Sequence, residues 1–109
     1  MADDVLERLT ALIAARRDAD VGTSYTRELL DGGVERCARK FGEEAVETVI
    51  AALAGDARAL EREAADVLYH LLVLLECRQV ALTRVLAELG ARLNTSGLAE
   101  KAQRGRTPA

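Results

Sequence analysis

The chain has 109 residues, half of them hydrophobic, with 15 basic and 18 acidic side chains and a formal charge of -3. That length suffices for one domain burying roughly 65% of its unfolded surface without disulfide or metal staples. The acidic balance and the scarcity of aromatics, Phe41, Tyr25 and Tyr69 being the whole set, argue against a long nucleic acid as partner, which needs a basic face or a stacking platform.

Periodicity is helical almost everywhere, and the single proline, Pro108, lies in the tail. A first helix is expected from about Asp4 to Arg17, with Val5, Leu6, Leu9, Leu12 and Ile13 along one side. The polar stretch DADVGTSY (18 to 25) breaks the pattern, and Gly32-Gly33 breaks it again after a short turn at TRELL. A second helix covers roughly Val34 to Ala54. Gly55 ends it and Asp56 caps a third that continues to about Arg78; a fourth spans approximately Leu82 to Leu93, and Ser96 is placed to cap a short last one through Arg104. No internal repeat or low-complexity segment interrupts this order. The expected fold is all-α, an antiparallel bundle of about four main helices, with a single domain over 1–104 and a polar tail over 105–109.

Cys37 and Cys77 stand singly with no CxxC pair, so they are expected as buried thiols in a reducing cytosol and not as a zinc or disulfide framework. The N-terminal MADDVLERL lacks the order of a secretory signal. Val67 to Leu75, the most apolar run, is far shorter than the ~20 residues of a membrane span. A soluble, cytoplasmic protein without a membrane partner is expected.

The second helix contains KFGEEAVETVIAAL, and at about 100° per residue Glu43, Glu44 and Glu47 share one arc with Arg36 and Lys40, opposite Val34, Phe41, Ala45 and Ala52. Alone, that is an amphipathic helix with its polar face in water. The third helix alters the reading, because its later half, from Val67 through Leu75, is apolar nearly all round and calls for burial, yet Glu63 and Asp66 lie just ahead of it. Carboxylates are seldom buried unless paired or bound to metal. Glu63 and Asp66 are spaced i and i+3, as Glu44 and Glu47 are, so two facing helices would bring four carboxylates into an all-oxygen pocket suited to Mg²⁺ or Mn²⁺. Ion pairs with Arg36, Arg39 or Lys40 are the alternative. His70, one turn after Asp66, is either a hydrogen-bonded core residue or a ligand or base. The di-iron pattern of paired Glu-x-x-His units is missing, as are a Walker loop, a nucleophile elbow and a Rossmann fingerprint.

The succession KFGEEAVETVIAAL, EREAADVLYHLLVLL and SGLAEKAQR resembles the phosphoribosyl-ATP pyrophosphohydrolase family of the all-α NTP pyrophosphatase (MazG-like) superfamily. The superfamily's Glu-Glu-x-x-Glu block is matched by Glu43, Glu44 and Glu47, and its Glu-x-x-Asp block by Glu63 and Asp66. SYTRELL (24 to 30), Lys40, the DVLYHLLVLL run and the closing SGLAEKA narrow the resemblance to the one family, over Ser24 to Arg104. Ala81 stands where the family often places a capping serine.

The resemblance implies hydrolysis of phosphoribosyl-ATP to phosphoribosyl-AMP and pyrophosphate in histidine biosynthesis, in the free-standing form without a fused cyclohydrolase domain. It also implies Glu44, Glu47, Glu63 and Asp66 as ligands of Mg²⁺, with Mn²⁺ possible. Glu43 and Glu47 are the candidate catalytic carboxylates, Glu43 orienting or deprotonating water from outside the ligand set. Arg36, Arg39 and Lys40 are candidates for holding phosphate, joined by Lys101 and Arg104 if the C-terminal segment folds over the site. Ser24, Tyr25 and Thr26 form a family-like loop of open role. The excess of apolar helix surface and the superfamily likeness together imply a homodimer that completes its active sites across a two-fold axis. The competing readings are a house-cleaning nucleotide pyrophosphatase with the same metal site and a non-catalytic helical interaction module with an acidic stripe.

Overall fold

The computed structural model describes residues 3–18 and 24–93, which form five α-helices and one 3-10 turn with no strand among the described residues. Helix α1 spans Asp3–Ala15 and runs into the 3-10 turn Arg16–Asp18; α2 is Tyr25–Asp31, α3 Gly33–Ala54, α4 Ala57–Cys77 and α5 Leu82–Arg92. The all-α bundle expected from the periodicity is present. The helix expected from Ser96 through Arg104, the tail at 105–109, Lys101 and Arg104 all lie outside the described residues.

Side chains cap the helices where local chemistry allows. Ser24 accepts a hydrogen bond from the Arg27 N–H at 3.3 Å, and this cap turns TRELL, expected as a turn, into the helix α2. Gly33 and Gly55 both take φ near +80°, a conformation costly for residues with a Cβ, so the chain can change direction between α2 and α3 and between α3 and α4. Asp56 then accepts from the Ala59 N–H at 3.1 Å and starts α4. At the far end of α4, Gln79 takes the left-handed conformation without being glycine, and its side-chain amide donates to the Glu76 carbonyl at 2.9 Å. Ala81 leaves α5 with no side-chain cap.

The apolar core lies at one end of the long α3–α4 hairpin. Ile13 from α1, Leu29 from α2, Cys37 from α3 and Leu72 and Val73 from α4 are buried, with Leu6, Leu9, Leu30, Tyr69, Leu74 and Leu82 packed around them. Val5 and Leu12, expected on the packed side of α1, are instead about half exposed. Arg17 bonds the Glu76 carboxylate and the Glu76 carbonyl, each at 2.6 Å, and so ties the 3-10 turn to α4. Cys37 donates to the Leu29 carbonyl at 3.2 Å; burial first, and the neighbouring Cys77 second, push its thiol up to about 11. Neither cysteine is in a disulfide. No helix of the described residues is long and apolar enough to cross a membrane.

Loss of one N-cap removes a partner from an otherwise orphaned helical N–H. Asp56→Ala is therefore expected to destabilise the chain by about 1 kcal/mol in urea unfolding, with little change in the slope of the transition.

Candidate metal centre

Among the described residues, helices α3 and α4 form the most extensive pairing, antiparallel from the Gly55 turn. The strip of α3 against α4 passes through Cys37, Phe41, Glu44, Thr48 and Ala51, all buried or half-buried. Its centre is therefore Glu44. The sequence pattern had placed the apolar side at Val34, Phe41, Ala45 and Ala52, but Val34 and Ala52 are exposed. A second apolar stripe, Val46, Val49, Ile50 and Leu53, lies about 180° from Glu44 and faces outward, Leu53 being 83% exposed.

From the α4 side come Glu63 and Asp66. Oxygens of Glu44, Glu63 and Asp66 lie within 4.8 Å of one another, three carboxylates from two helices at one point. Glu47 is not one of the three, although its carboxyl raises both Glu44 and Glu63. Thr48, one turn beyond Glu44, locks this crossing: its hydroxyl donates to the Glu44 carbonyl at 2.8 Å and has the Glu63 carbonyl at 3.2 Å. Thr48 stands outside the acidic blocks, and its only sequence signal is that of a threonine inside a helix, which can back-bond to the preceding turn.

Like charges so close, and partly out of water, shift each other. Burial first, then Glu47 and Asp66, raises Glu44 above the usual carboxylate range, with His70 opposing. Burial first, then Glu47 and Asp66, raises Glu63 as well. One Glu63 oxygen, Oε2, is shut off from solvent with no hydrogen-bond partner. Among the described residues, none of these four carboxylates forms an ion pair. A buried acceptor without a donor, in an all-oxygen set, fits a hard divalent cation. Glu44, Glu63 and Asp66, with Glu47 alongside, are the side chains that could hold one.

The candidate phosphate-binding cations take different positions. Lys40, half-buried, reaches Glu43 at 3.3 Å, and Glu43 first, then Tyr25, pushes its ammonium up. Glu43 is exposed one turn from Lys40, outside the three-oxygen cluster. Arg36 and Arg39 are exposed, and the Arg36 side chain lies so close over Gly32 that a Cβ there would collide with it. The first turn of α2 approaches the site as well: Tyr25 lies 3.3 Å from the ring of His70, and Thr26 bonds Tyr69 at 2.5 Å.

Comparison with known proteins gives this arrangement its family. The family model described as phosphoribosyl-ATP pyrophosphohydrolase matches residues 6–93. The chain belongs to that family. A phosphoribosyl-ATP pyrophosphatase of Cereibacter sphaeroides is 59% identical over 101 residues, covering 93% of this chain and 98% of the relative. One of Dinoroseobacter shibae is 60% identical over 92% of this chain and 98% of its own length, and one of Rhodobacter capsulatus 57% over 92% and 97%. The matched residues of this phosphoribosyl-ATP pyrophosphohydrolase family member include all five glutamates and aspartates of the two acidic blocks.

The raised carboxyls have a consequence for stability. A folded-state value above the unfolded one means that the folded chain binds the proton more tightly; this contribution favours folding below the ordinary carboxylate range and is lost as pH rises through the raised values. In metal-free buffer Glu63→Gln is thus expected to melt at a higher temperature than the parent at pH 7. The gap should close as the pH falls through the carboxylate range. Thermal melts of both chains between pH 7 and pH 4 check this.

Proposed function

We propose that this member of the phosphoribosyl-ATP pyrophosphohydrolase family hydrolyses phosphoribosyl-ATP to phosphoribosyl-AMP and pyrophosphate, within histidine biosynthesis in the cytoplasm, at a Mg²⁺ site formed by Glu44, Glu47, Glu63 and Asp66. The observation that supports the site most directly is the Glu63 oxygen, buried and without a donor, beside two further carboxylates. Mn²⁺ satisfies the same oxygen set.

An acidic pocket repels a triphosphate, and a bound divalent cation would bridge the two and offset the charge that develops on the departing pyrophosphate. The chain's own groups do the remaining work. Thr48 fixes the backbone of Glu44 against that of Glu63, so the carboxylates converge before substrate arrives. Glu47, exposed at the edge of the cluster, is placed to orient the attacking water and take its proton; Glu43, held by Lys40, is the second carboxylate available for that role. Lys40, Arg36 and Arg39 lie on the turns of α3 ahead of the glutamates, where cations can receive phosphate oxygens.

The same reading includes a symmetric homodimer. Val46, Val49, Ile50 and Leu53 recur at helical spacing on α3 with no cover, and Leu68 of α4 is half exposed. A contiguous apolar stripe of that kind on a small helical chain marks a surface that meets another protein surface. A second copy supplies an identical stripe, and a two-fold axis closes the contact.

Two outcomes are expected. Glu47→Gln and Asp66→Asn should each lower pyrophosphate release from phosphoribosyl-ATP by about a hundredfold or more while keeping the helical circular dichroism of the parent, and chelation of Mg²⁺ should do the same. Folded variants with full activity would remove the metal-site reading. For the assembly, light scattering at micromolar concentration should give the mass of two chains, and Ile50→Glu should halve it by placing a charge on the self-complementary stripe.

A further inference from the structure

Thr48 on α3 is level with Glu63 on α4, each the same number of residues from the Gly55–Asp56 turn. Its hydroxyl has one hydrogen and two acceptors: the Glu44 carbonyl at 2.8 Å on its own helix and the Glu63 carbonyl at 3.2 Å across the pair. Carbonyls only accept, so the direction of both contacts is fixed whatever the charge of the neighbouring groups. Inside a helix each of these carbonyls also accepts from the N–H four residues on, and the hydroxyl meets its second lone pair. The two residues joined in this way are both among the three whose carboxylates converge.

Little else fixes the two helices at this level. Among the described residues no ion pair joins α3 to α4, and the Thr48 bond is the one from a side chain of either helix to the backbone of the other. The half-buried residues next to Glu44 and Glu63 in the sequence are Ala45 and Ala64, whose methyl groups offer few atoms to interlock. The converging carboxylates push the pair apart. Cations differ in how far they need such a constraint. Mg²⁺ demands a near-ideal octahedron with oxygens at about 2.0–2.1 Å, whereas Ca²⁺ accepts roughly six to eight oxygens at about 2.3–2.6 Å in flexible arrangements. Donors carried by two separate helices meet the first demand only when the spacing of the helices is held.

We propose that Thr48 is a positioning residue of the metal centre, whose hydroxyl holds α3 against α4 at the spacing a small divalent cation requires and so favours Mg²⁺ over Ca²⁺. This rests on the Mg²⁺ site proposed above and adds the residue that sets which ion the site prefers. Thr48 stands outside the three-oxygen set and acts through the backbone of Glu44 and Glu63. Valine has nearly the same shape without the hydroxyl, and neither carbonyl loses its helical partner, so Thr48→Val should keep the fold.

The test titrates Mn²⁺ into the parent, Thr48→Val, Thr48→Ser and Asp66→Asn, reads free Mn²⁺ by electron paramagnetic resonance, and then displaces the bound ion with Mg²⁺ or with Ca²⁺. Circular dichroism shows that each variant is folded. Asp66→Asn should lose the bound ion, which places it at the carboxylates. Thr48→Val should weaken Mg²⁺ about three- to tenfold, the range for one neutral hydrogen bond, and leave Ca²⁺ within about twofold of the parent. Thr48→Ser, which keeps the hydroxyl, should stay within about twofold of the parent for both ions. A Thr48→Val chain with the parent's Mg²⁺-to-Ca²⁺ preference, whether both ions are unchanged or both equally weakened, would overturn the proposal and leave the metal site standing. So would a Thr48→Ser chain that behaves as the valine variant does. A parent that binds no Mn²⁺, or binding that survives Asp66→Asn, overturns the metal reading and this proposal with it. Should Thr48→Val fail to fold, Thr48→Ala, smaller and equally without the hydroxyl, is measured in its place.

Discussion

The carboxylate of Glu44 stands in the middle of the α3–α4 pairing, the most extensive among the described residues, and the remaining architecture follows from that placement. Burying charge costs several kcal/mol unless it is compensated, yet here Glu44 and Glu63 converge with Asp66 at one point between α3 and α4. The face of α3 that would ordinarily supply the hydrophobic core is given over to them. Apolar side chains of α3 are displaced to the opposite side, where Val46, Val49, Ile50 and Leu53 face outward. The core itself is pushed to the end of the hairpin, where α1 and α2 cover Cys37, Leu72 and Val73.

Such an arrangement trades stability for preorganisation. Groups that repel each other in the free chain are held in place by neighbours that gain nothing from the charge: Thr48 across the helix pair, Gly55 and Asp56 at its turn, and the Ile13–Leu29–Val73 core at its base. Strain of this kind at a functional site is sustained by the surrounding fold. It also explains why Glu63 Oε2 can lie buried with no donor, an exception among buried polar atoms that a folded chain ordinarily satisfies.

The sequence made much of this legible, and its failures have identifiable physics. Helix positions and the Asp56 cap follow from periodicity and capping chemistry, and the i, i+3 spacing of Glu44 with Glu47 and of Glu63 with Asp66 points to one shared locus. The inward side of α3 is not set by periodicity alone, because that helix carries two apolar arcs, around Phe41 and around Ile50, and only tertiary packing selects between them. TRELL was too short to be recognised as a helix; the Ser24 side-chain cap stabilises it. The Tyr25–His70 contact joins residues 45 positions apart and has no local pattern at all. The acidic site was legible through its spacing, whereas the groups that frame it were not, since they are brought together only by the crossing of α2 over α4.

The carboxylates between α3 and α4 are proposed to bind a divalent cation. Anomalous scattering from crystals grown with Mn²⁺ tests it most directly, because the ion is located without reference to activity. An anomalous peak is expected within about 2.0–2.6 Å of oxygens from Glu44, Glu63 and Asp66, with Glu63 Oε2 among its ligands. Manganese found only on exposed acidic side chains, with Glu63 Oε2 still lacking a partner, would contradict it.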